Sequence, residues 1–334
     1  MTVEDLSKFN KILIIRLSSL GDILLTTPFI RAIKHQFPAI IIDMLVRQEY
    51  ADAIKLNPNI SQKFYFNRND ETNKELMKRL GKEKYDLIID LQNNLRSKKI
   101  TSSLDVKTKK LKKSGWKKFL LVNFKINKLN NAPQIPVRYS ETISNLVLDD
   151  KGIDLISNKV PSDKIFDENN LIGFCPGARH FTKQWTKEYF VELGKLLIKN
   201  KYHVVLFGGK IDKALCAEIH SKLPEAINLS NDDDLLQTVS DMKMCSAIIC
   251  NDSGLMHVAS ATATKIIAIF GSTVKEFGFT PYNCKNLILE NNSLSCRPCS
   301  HIGKDHCPKK HFNCMKEIKP EFVFEKTIPF IISK

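Results

Sequence analysis

The heptapeptide NDSGLMH at positions 251–257 decides the fold of this chain. It follows the apolar run 247–250, which predicts a buried parallel strand, and it precedes residues 255–263, whose spacing predicts a packed helix. A short polar turn between a strand and a helix places free backbone N–H groups at the carboxyl edge of a sheet. Open α/β folds bind phosphorylated ligands at that edge. The stretch therefore predicts an anion-binding turn in an α/β domain.

An ordinary helix N-cap explains the same residues without any ligand. Asp252 or Ser253 would then accept hydrogen bonds from the first turn of the helix and do nothing more. The heptapeptide alone leaves both interpretations open.

Composition and charge narrow the class of protein. The 334 residues fit two domains of ordinary size, and 43% hydrophobic with 26% charged residues is typical of a globular protein. The formal net charge of +15 indicates an anionic partner: nucleic acid, an anionic membrane surface or a phosphorylated substrate.

The sequence also predicts where the protein works. Residues 1–10 carry Glu4 and Asp5 without an apolar core, which argues against a secretory signal, and no apolar run reaches the roughly 18 residues of a membrane span. We expect a cytoplasmic protein that touches a membrane, at most, from the cytoplasmic side.

A second turn of the same kind lies near the N-terminus. Residues 11–16 predict a strand, residues 23–37 an amphipathic helix, and SSLGD at 18–22 the turn between them. Neither a dinucleotide fingerprint nor a P-loop is present. Asp22 is a candidate functional carboxylate, or a first-turn acid favoured by the helix dipole.

Strands and helices alternate along the rest of the chain, which predicts two doubly wound α/β domains. A helix at 139–148 opens the predicted interdomain connection, 139–170, and the alternation restarts at residue 171. The last apolar segment, 320–332, predicts a terminal helix that packs back on the first domain.

Between Arg96 and Arg138 the chain is rich in lysine, and Asp105 is the only acid. Trp116, Phe119 and Phe124 lie among the lysines. Such a tract is typical of an interfacial segment on anionic lipid, although a solvated loop or a nucleic-acid patch has a similar composition.

Nine cysteines divide into two groups. Those in strand-like runs, such as Cys175 and Cys250, are expected to be small buried hydrophobes in a reducing compartment. The other group has the spacing C-x2-C-x7-C-x6-C: Cys296, Cys299, Cys307 and Cys314. This set is compatible with packed thiols, a disulfide or a zinc site.

Five motifs occur in order between about residues 11 and 320. They are KILIIRLSSLGDILLTTPFIRAIKHQFP (11–38), IIDLQNNLRS (88–97), PGARHFTKQWTKEYFVELGKLL (176–197), FGGKIDKALCAEI (207–219) and NDSGLMHVASATATKIIAIFGST (251–273). Together they resemble glycosyltransferase family 9, the bacterial ADP-heptose:lipopolysaccharide heptosyltransferases. The resemblance implies the GT-B fold: two Rossmann-like domains that face each other across a cleft.

The resemblance also implies an activity: inverting transfer of a heptose from ADP-heptose to a hydroxyl of the lipopolysaccharide inner core. Asp22 would be the general base, presented by Ser18, Ser19 and Gly21. Lys183, preceded by Thr182, would neutralise the donor phosphates as the diphosphate leaves.

Further donor contacts follow by position in the motifs. Asp252, Ser253 and Gly254 would hold the donor, and Asp212 would meet the nucleotide ribose. His257 would add a phosphate contact, or would be a packed or capping histidine. No cofactor and no metal are expected for the reaction.

The resemblance suggests an acceptor domain at 1–165, a nucleotide-sugar domain at 166–315 and a C-terminal helix at 316–334. The expected partners are ADP-heptose, a phosphorylated lipid A–Kdo acceptor and the cytoplasmic face of the anionic inner membrane, and not nucleic acid. Two alternatives remain open: a GT-B glycosyltransferase that uses another nucleotide sugar, and a basic nucleic-acid-binding protein.

Overall fold

Two α/β units make up the chain in the computed structural model, which describes residues 6–67, 72–165 and 170–333. The first unit comprises Met1–Lys113 and Pro133–Ile156, and the second comprises Ser114–Ala132 and Ser157–Lys334. Segment 114–132 thus groups with the second unit although both its flanks belong to the first. The predicted boundary between residues 165 and 166 lies at the edge of the described residues, and Glu4 and Asp5 of the N-terminal stretch lie outside them.

The first unit is built on a five-stranded parallel sheet with strand order β3-β2-β1-β4-β5. The strands are β1 (Lys11–Ile15), β2 (Ile41–Arg47), β3 (Lys63–Phe66), β4 (Leu87–Asp90) and β5 (Thr108–Lys110). The helices are α1 (Leu20–Leu24), α2 (Thr27–Gln36), α3 (Thr72–Lys82), α4 (Leu95–Leu104) and, after the segment assigned to the second unit, α6 (Ile135–Ser140). Strands β1, β2 and β4 are almost wholly buried, because helices cover both faces of such a sheet.

The second unit contains a six-stranded parallel sheet with order β11-β10-β9-β6-β7-β8. Its strands are β6 (Leu171–Cys175), β7 (His203–Leu206), β8 (Ile227–Asn228), β9 (Ala247–Asn251), β10 (Lys265–Phe270) and β11 (Asn286–Glu290). Its helices are α5 (Gly115–Phe124), α7 (Lys187–Lys199), α8 (Lys213–Lys222), α9 (Leu235–Met242), α10 (Gly254–Ala259), α11 (Asn313–Lys316) and α12 (Pro320–Ile332). The predicted pair of doubly wound α/β domains is confirmed.

Each unit has its own hydrophobic core. In the first, Leu13, Ile15 and Phe64 pack under helices α3 and α4. In the second, Trp185 and Phe190 pack with residues of the central strands, and α12 packs on α7. The terminal helix is therefore part of the second unit, and its predicted packing on the first domain stays a prediction.

Three predicted helices differ from those observed. The helix predicted at 255–263 is α10, which begins at Gly254 and ends at Ala259. The helix predicted at 23–37 is interrupted between α1 and α2, because Pro28 has no N–H to donate to the Leu24 carbonyl. The helix predicted at 139–148 was wrong: α6 begins earlier, with Pro136 in its first turn, and ends at Ser140. Beyond it, Asn145 has a positive φ of 59°. Strands β5 and β11 were not predicted.

None of the helices among the described residues combines the length and apolarity needed to cross a bilayer.

Candidate active site

The order of the strands fixes one ligand-binding edge in each unit. In the second unit the chain runs from β6 outward through β7 to β8, and then returns to the other side of β6 with β9. In the first unit the corresponding reversal lies between β1 and β4. The loops that leave two such strands diverge, and they form the crevice where open α/β sheets bind ligands. Asp252 and Asp22 each follow a strand next to one of these reversals.

The loops after β6, β9 and β10 bring three polar side chains together. Lys183 Nζ lies 2.7 Å from Asp252 Oδ2, and Thr273 Oγ1 donates a 2.6 Å hydrogen bond to the same oxygen. The Asp252 side chain is only 7% exposed, and that of Lys183 is 16% exposed. We call Lys183, Asp252 and Thr273 the charged centre. It lies at the carboxyl ends of three adjacent strands, where an anionic ligand can reach a cation held in place.

The structure corrects the interpretation of 251–257 as an ordinary N-cap. Ser253 occupies the N-cap position of α10 but makes no side-chain capping bond, and Asp252 is engaged by Lys183 and Thr273 instead. Within the described part of the chain, Ser253 Oγ and Ser272 Oγ are buried hydroxyls that lack hydrogen-bond partners. A buried polar atom without a partner costs free energy, so both hydroxyls are suited to meet ligand oxygens.

Asn251 joins the end of β9 to the loop after β6 through two hydrogen bonds. It is fully buried; its Oδ1 accepts from Trp185 N–H at 2.9 Å, and its Nδ2 donates to the Pro176 carbonyl at 2.7 Å. The loop that carries Lys183 is therefore fixed to the end of β9. This positions Lys183 against Asp252.

Asp212 lies beside the loop that follows β6. A Cβ atom added at Gly177 would meet Asp212 Oδ1 at 2.1 Å, and one added at Gly208 would meet the Asp212 Cβ at 2.8 Å. Burial raises the pKa of Asp212; the Gly209 N–H lowers it and the neighbouring Asp233 raises it further. The two glycines are required for this close approach.

Two other residues predicted at the site of the sugar donor, Thr182 and His257, are buried. Thr182 bonds to the backbone of Lys304 through both its Oγ1 and its N–H, and its carbonyl accepts from Ser272 N–H at 3.2 Å. It thus holds the loop in place. His257 is 4% exposed on α10, with its ring centroid 6.5 Å from that of Phe279. Gly254 is the first residue of α10. The contacts of these residues with a donor stay predictions.

In the first unit, Asp22 lies in the first turn of α1. Its Oδ1 is 2.5 Å from the Arg16 guanidinium, and its Oδ2 accepts from the N–H and the hydroxyl of Ser19, at 3.1 and 2.7 Å. The side chain is 16% exposed. Asp22 is therefore a first-turn acid, as one interpretation expected, and also an oriented carboxylate within reach of solvent.

The residues around Asp22 fix the turn. Ser18 N–H donates to Gln92 Oε1, which follows β4, and the Ser18 carbonyl accepts from Arg16 Nε at 3.0 Å. Gly21 is buried in α1. The Arg16 guanidinium also lies over the ring of Tyr139, 5.7 Å from its centroid. Burial lowers the pKa of Arg16, but Asp22, Tyr139 and Asp90 together outweigh burial, so that the pKa of Arg16 is raised.

Sequence reasoning missed Arg16 and Thr273. In the sequence Arg16 is the last residue of the predicted strand 11–16, and Thr273 is the last residue of the motif 251–273. The signal for both is their position beyond the carboxyl end of a strand: Arg16 directly follows β1, and Thr273 lies three residues after β10.

The four C-terminal cysteines form no disulfide in the structure; Cys314 is buried, and Cys296, Cys299 and Cys307 are partly buried. All nine cysteines of the chain are free, and Cys296 Sγ lies 3.8 Å from His311 Nε2. Burial raises the pKa of the Cys314 thiol to about 12, which keeps it protonated at neutral pH. Among the described residues, no three His, Cys, Asp or Glu side chains are grouped so that they could hold a metal ion.

Two doubly wound sheets with a charged group at each strand reversal define the class, a two-domain α/β protein of the GT-B type. The family model described as Glycosyltransferase family 9 (heptosyltransferase) matches residues 74–310. The chain therefore belongs to glycosyltransferase family 9.

Curated relatives carry a consistent name. A lipooligosaccharide heptosyltransferase 2 from Campylobacter jejuni is 35% identical over 162 residues, which cover 47% of this chain and 50% of the relative. The match thus spans about half the length of that relative. A protein of the same name from Haemophilus influenzae is 27% identical, over 94% of this chain and 97% of its own.

Solved structures share the fold. The glycosyl transferase family 9 structure from Veillonella parvula superposes with a TM-score of 0.78 at 20% identity, covering 97% of this chain and 98% of its own. The E. coli ADP-heptose LPS heptosyltransferase II gives a TM-score of 0.73 at 23% identity, covering 96% and 98%. These likenesses confirm the predicted GT-B fold class.

Proposed function

We propose that this protein is an inverting heptosyltransferase that transfers a heptose from ADP-heptose to a hydroxyl of the lipopolysaccharide inner core. Membership of family 9 supports the reaction class, and the names of the relatives support heptose and the lipopolysaccharide acceptor. The observation that carries the proposal is the charged centre at the strand reversal of the second sheet.

The charged centre suits a departing nucleoside diphosphate. As the bond to the anomeric carbon breaks, negative charge grows on the leaving diphosphate, and the Lys183 ammonium neutralises it. Asp252 holds the ammonium in place and binds the donor sugar. Ser253 Oγ and the first N–H groups of α10 contact phosphate oxygens. Asp212 accepts from the ribose hydroxyls.

Asp22 acts on the acceptor as general base. It removes the proton of the acceptor hydroxyl as this oxygen attacks the anomeric carbon from the face opposite the leaving group. Arg16 and Ser19 fix the plane of the carboxylate. Ser19 donates two hydrogen bonds to Oδ2, so Oδ1, which among the described residues faces only Arg16, retains lone-pair capacity for the acceptor hydroxyl.

The acceptor proposed is the phosphorylated lipid A–Kdo portion of lipopolysaccharide. Because that acceptor is anchored in a bilayer, we place the enzyme as a peripheral protein on the cytoplasmic face of the inner membrane. The net charge of +15 suits both the phosphorylated acceptor and the anionic lipid around it.

Asp22→Asn tests the base. We expect kcat to fall by roughly 10²–10⁴ while the affinity for ADP stays unchanged, because the amide keeps the shape of the carboxylate but cannot take the proton. The measurement is heptose transfer to a Kdo-lipid acceptor, with Asp86→Asn as a control carboxylate of the same unit. Full activity in Asp22→Asn would contradict this role.

A donor screen tests the substrate. ADP-heptose, UDP-sugars and GDP-sugars are offered with the same Kdo-lipid acceptor series, and turnover is expected with ADP-heptose. Turnover only with another nucleotide sugar would overturn the heptose assignment and keep the glycosyltransferase class.

A further inference from the structure

Helix α5 turns an aromatic surface outward. Trp116 is 70% exposed, Phe119 49% and Phe124 62%. With about 100° between successive residues, these three side chains fall on the same half of the helix. Their rings also meet: the centroids of Trp116 and Phe119 are 6.1 Å apart, and those of Phe119 and Phe124 are 5.9 Å apart. We call these three residues the aromatic face.

The opposite side of α5 is firmly packed within the second unit. Leu121 is buried with Leu129 and Phe277 in a small hydrophobic cluster. Lys118 Nζ lies over the rings of Phe277 and Phe279, 5.8 and 5.5 Å from their centroids. These contacts fix the orientation of α5. In that orientation the aromatic face points to solvent.

The end of α5 is also anchored. Lys125 Nζ donates to the carbonyls of Cys296 and Pro298, at 3.2 and 2.8 Å. Next to it, Ile126 is 47% exposed and extends the apolar surface beyond the aromatic face. A rigid, rather than a fraying, segment thus presents large apolar side chains to solvent.

The chain segment that carries the aromatic face is positively charged. Residues 112–128 contain six lysines and no aspartate or glutamate. Lys117, within the helix, and Lys128, just after it, are exposed. An exposed apolar surface bordered by lysines complements an anionic surface that has an apolar interior beneath it.

We propose that the aromatic face of α5 docks the protein on an anionic lipid bilayer, with its rings at the boundary between headgroups and acyl chains and with Lys117 and Lys128 on lipid phosphates. This inference rests on the proposed action at a lipid-linked acceptor, which it deepens by naming the docking element. A bilayer fits this surface better than nucleic acid for two reasons. The rings of Trp116 and Phe119 already stack on each other, and the surface continues through Ile126, an aliphatic side chain on which a nucleic-acid base cannot stack.

Tryptophan emission reports the docking directly. The chain has two tryptophans, and Trp185 is 1% exposed, so a change on docking comes from Trp116. We expect a blue shift and co-sedimentation with vesicles of equimolar phosphatidylglycerol and phosphatidylcholine. We expect neither with pure phosphatidylcholine, because lysines near the surface require anionic lipid.

Two pairs of variants test the named residues. The double variant Phe119→Ser, Phe124→Ser keeps Trp116 as the fluorescent reporter, and it is expected to lower vesicle partitioning by at least roughly tenfold. The control is Phe322→Ser, at a partly exposed phenylalanine of α12, which is expected to leave partitioning unchanged. Lys117→Glu with Lys128→Glu is expected to weaken binding by more than about fivefold per lysine, and Lys195→Glu on α7 is the matched control.

Unchanged partitioning in the aromatic variants would overturn the proposal, as would a Trp116 shift with single-stranded RNA but none with vesicles. Transfer to a deacylated, water-soluble Kdo acceptor separates docking from catalysis. Docking variants that keep this transfer are folded, and their loss of vesicle binding supports the proposal. If the protein binds vesicles but transfers no heptose, the proposed function is contradicted, whereas the proposal that α5 docks on the bilayer is still supported.

Discussion

At the scale of single residues, the charged centre depends on one ammonium group. Lys183 lies 2.7 Å from Asp252, whose carboxylate is almost fully buried and receives a further bond from Thr273. A buried carboxylate without its cation is costly, so the pair holds the centre in place before any donor binds. In the proposed reaction, the same ammonium is thus positioned for the charge of the donor diphosphate.

Lys183→Ala should therefore lower turnover strongly. We expect kcat for heptose transfer to fall by about 10²–10³, the effect of removing one positioned electrostatic group. Lys187→Ala is the control, because Lys187 is an exposed lysine of α7 that pairs with Glu218 at the surface. Steady-state kinetics with ADP-heptose gives the comparison; equal rates for the two variants would contradict the role of Lys183.

Asp212 provides a pH test. Its pKa is raised, chiefly by burial, above its usual value of 3.8. A raised pKa in the folded state favours the protonated form. The contribution of protonated Asp212 to the stability of the folded state is therefore present at acidic pH, and it is lost as the pH rises through the raised pKa.

Asp212→Asn should for this reason raise the Tm at about pH 7 and give no gain near about pH 3, where Asp212 is protonated in both the folded and the unfolded state. Thermal melts across that range measure the difference. Asp232→Asn, at an exposed surface carboxylate, should show no such pH-dependent gain. An identical Tm difference at every pH would argue against the burial of a charged Asp212.

At the scale of elements, the ends of the strands decide where the functional side chains lie. Asn251, the last residue of β9, binds the backbone at both Trp185 and Pro176. The sequence around 251–257 predicted the strand, the turn and the start of the helix correctly, because apolar periodicity and turn residues act locally, but the helix ends at Ala259 and not at residue 263. The same local rules failed at 139–148, where the Ser140 and Thr142 hydroxyls bond to nearby carbonyls as the helix ends.

Asn251→Ala removes both of these hydrogen bonds and leaves the Trp185 N–H and the Pro176 carbonyl buried. We expect a loss of about 2–4 kcal/mol in the free energy of unfolding, measured by urea denaturation. Donor affinity should fall as well, because the loop that carries Lys183 is released. Asn286→Ala, at the exposed start of β11, is expected to change the free energy of unfolding by less than about 0.5 kcal/mol. A fully stable Asn251→Ala protein would show that other contacts hold the loop.

At the scale of the whole molecule, each unit has its own sheet, its own core and its own candidate site. The proposed nucleotide contacts all lie in the second unit, whereas Asp22 lies in the first. Segment 114–132 shows how far grouping in space departs from grouping along the chain, since it belongs to the second unit and carries the aromatic face.

ADP alone should accordingly protect the second unit. At 100 times its Kd, ADP should stabilise the folded state by about 2.7 kcal/mol, and hydrogen exchange should slow in the loops 176–186, 251–254 and 271–273. UDP should protect these loops less at the same concentration, and Lys183→Ala should reduce the effect of ADP. Protection confined to the Asp22 turn would show that the nucleotide binds to the first unit, which would contradict the proposed site in the second unit.

The sequence by itself determined the alternation of strands and helices, the two domains and the five family motifs, because each depends on residues that are neighbours along the chain. Only the tertiary structure decided which side chains meet. Lys183, Asp252 and Thr273 follow three different strands, and they converge because β9 lies between β6 and β10 in the sheet. The contact between Arg16 and Asp22 has a different origin: both lie in the turn that leaves β1, so the conformation of that turn and not strand order brings them together. Strand order places distant residues together, and local periodicity carries no record of that order.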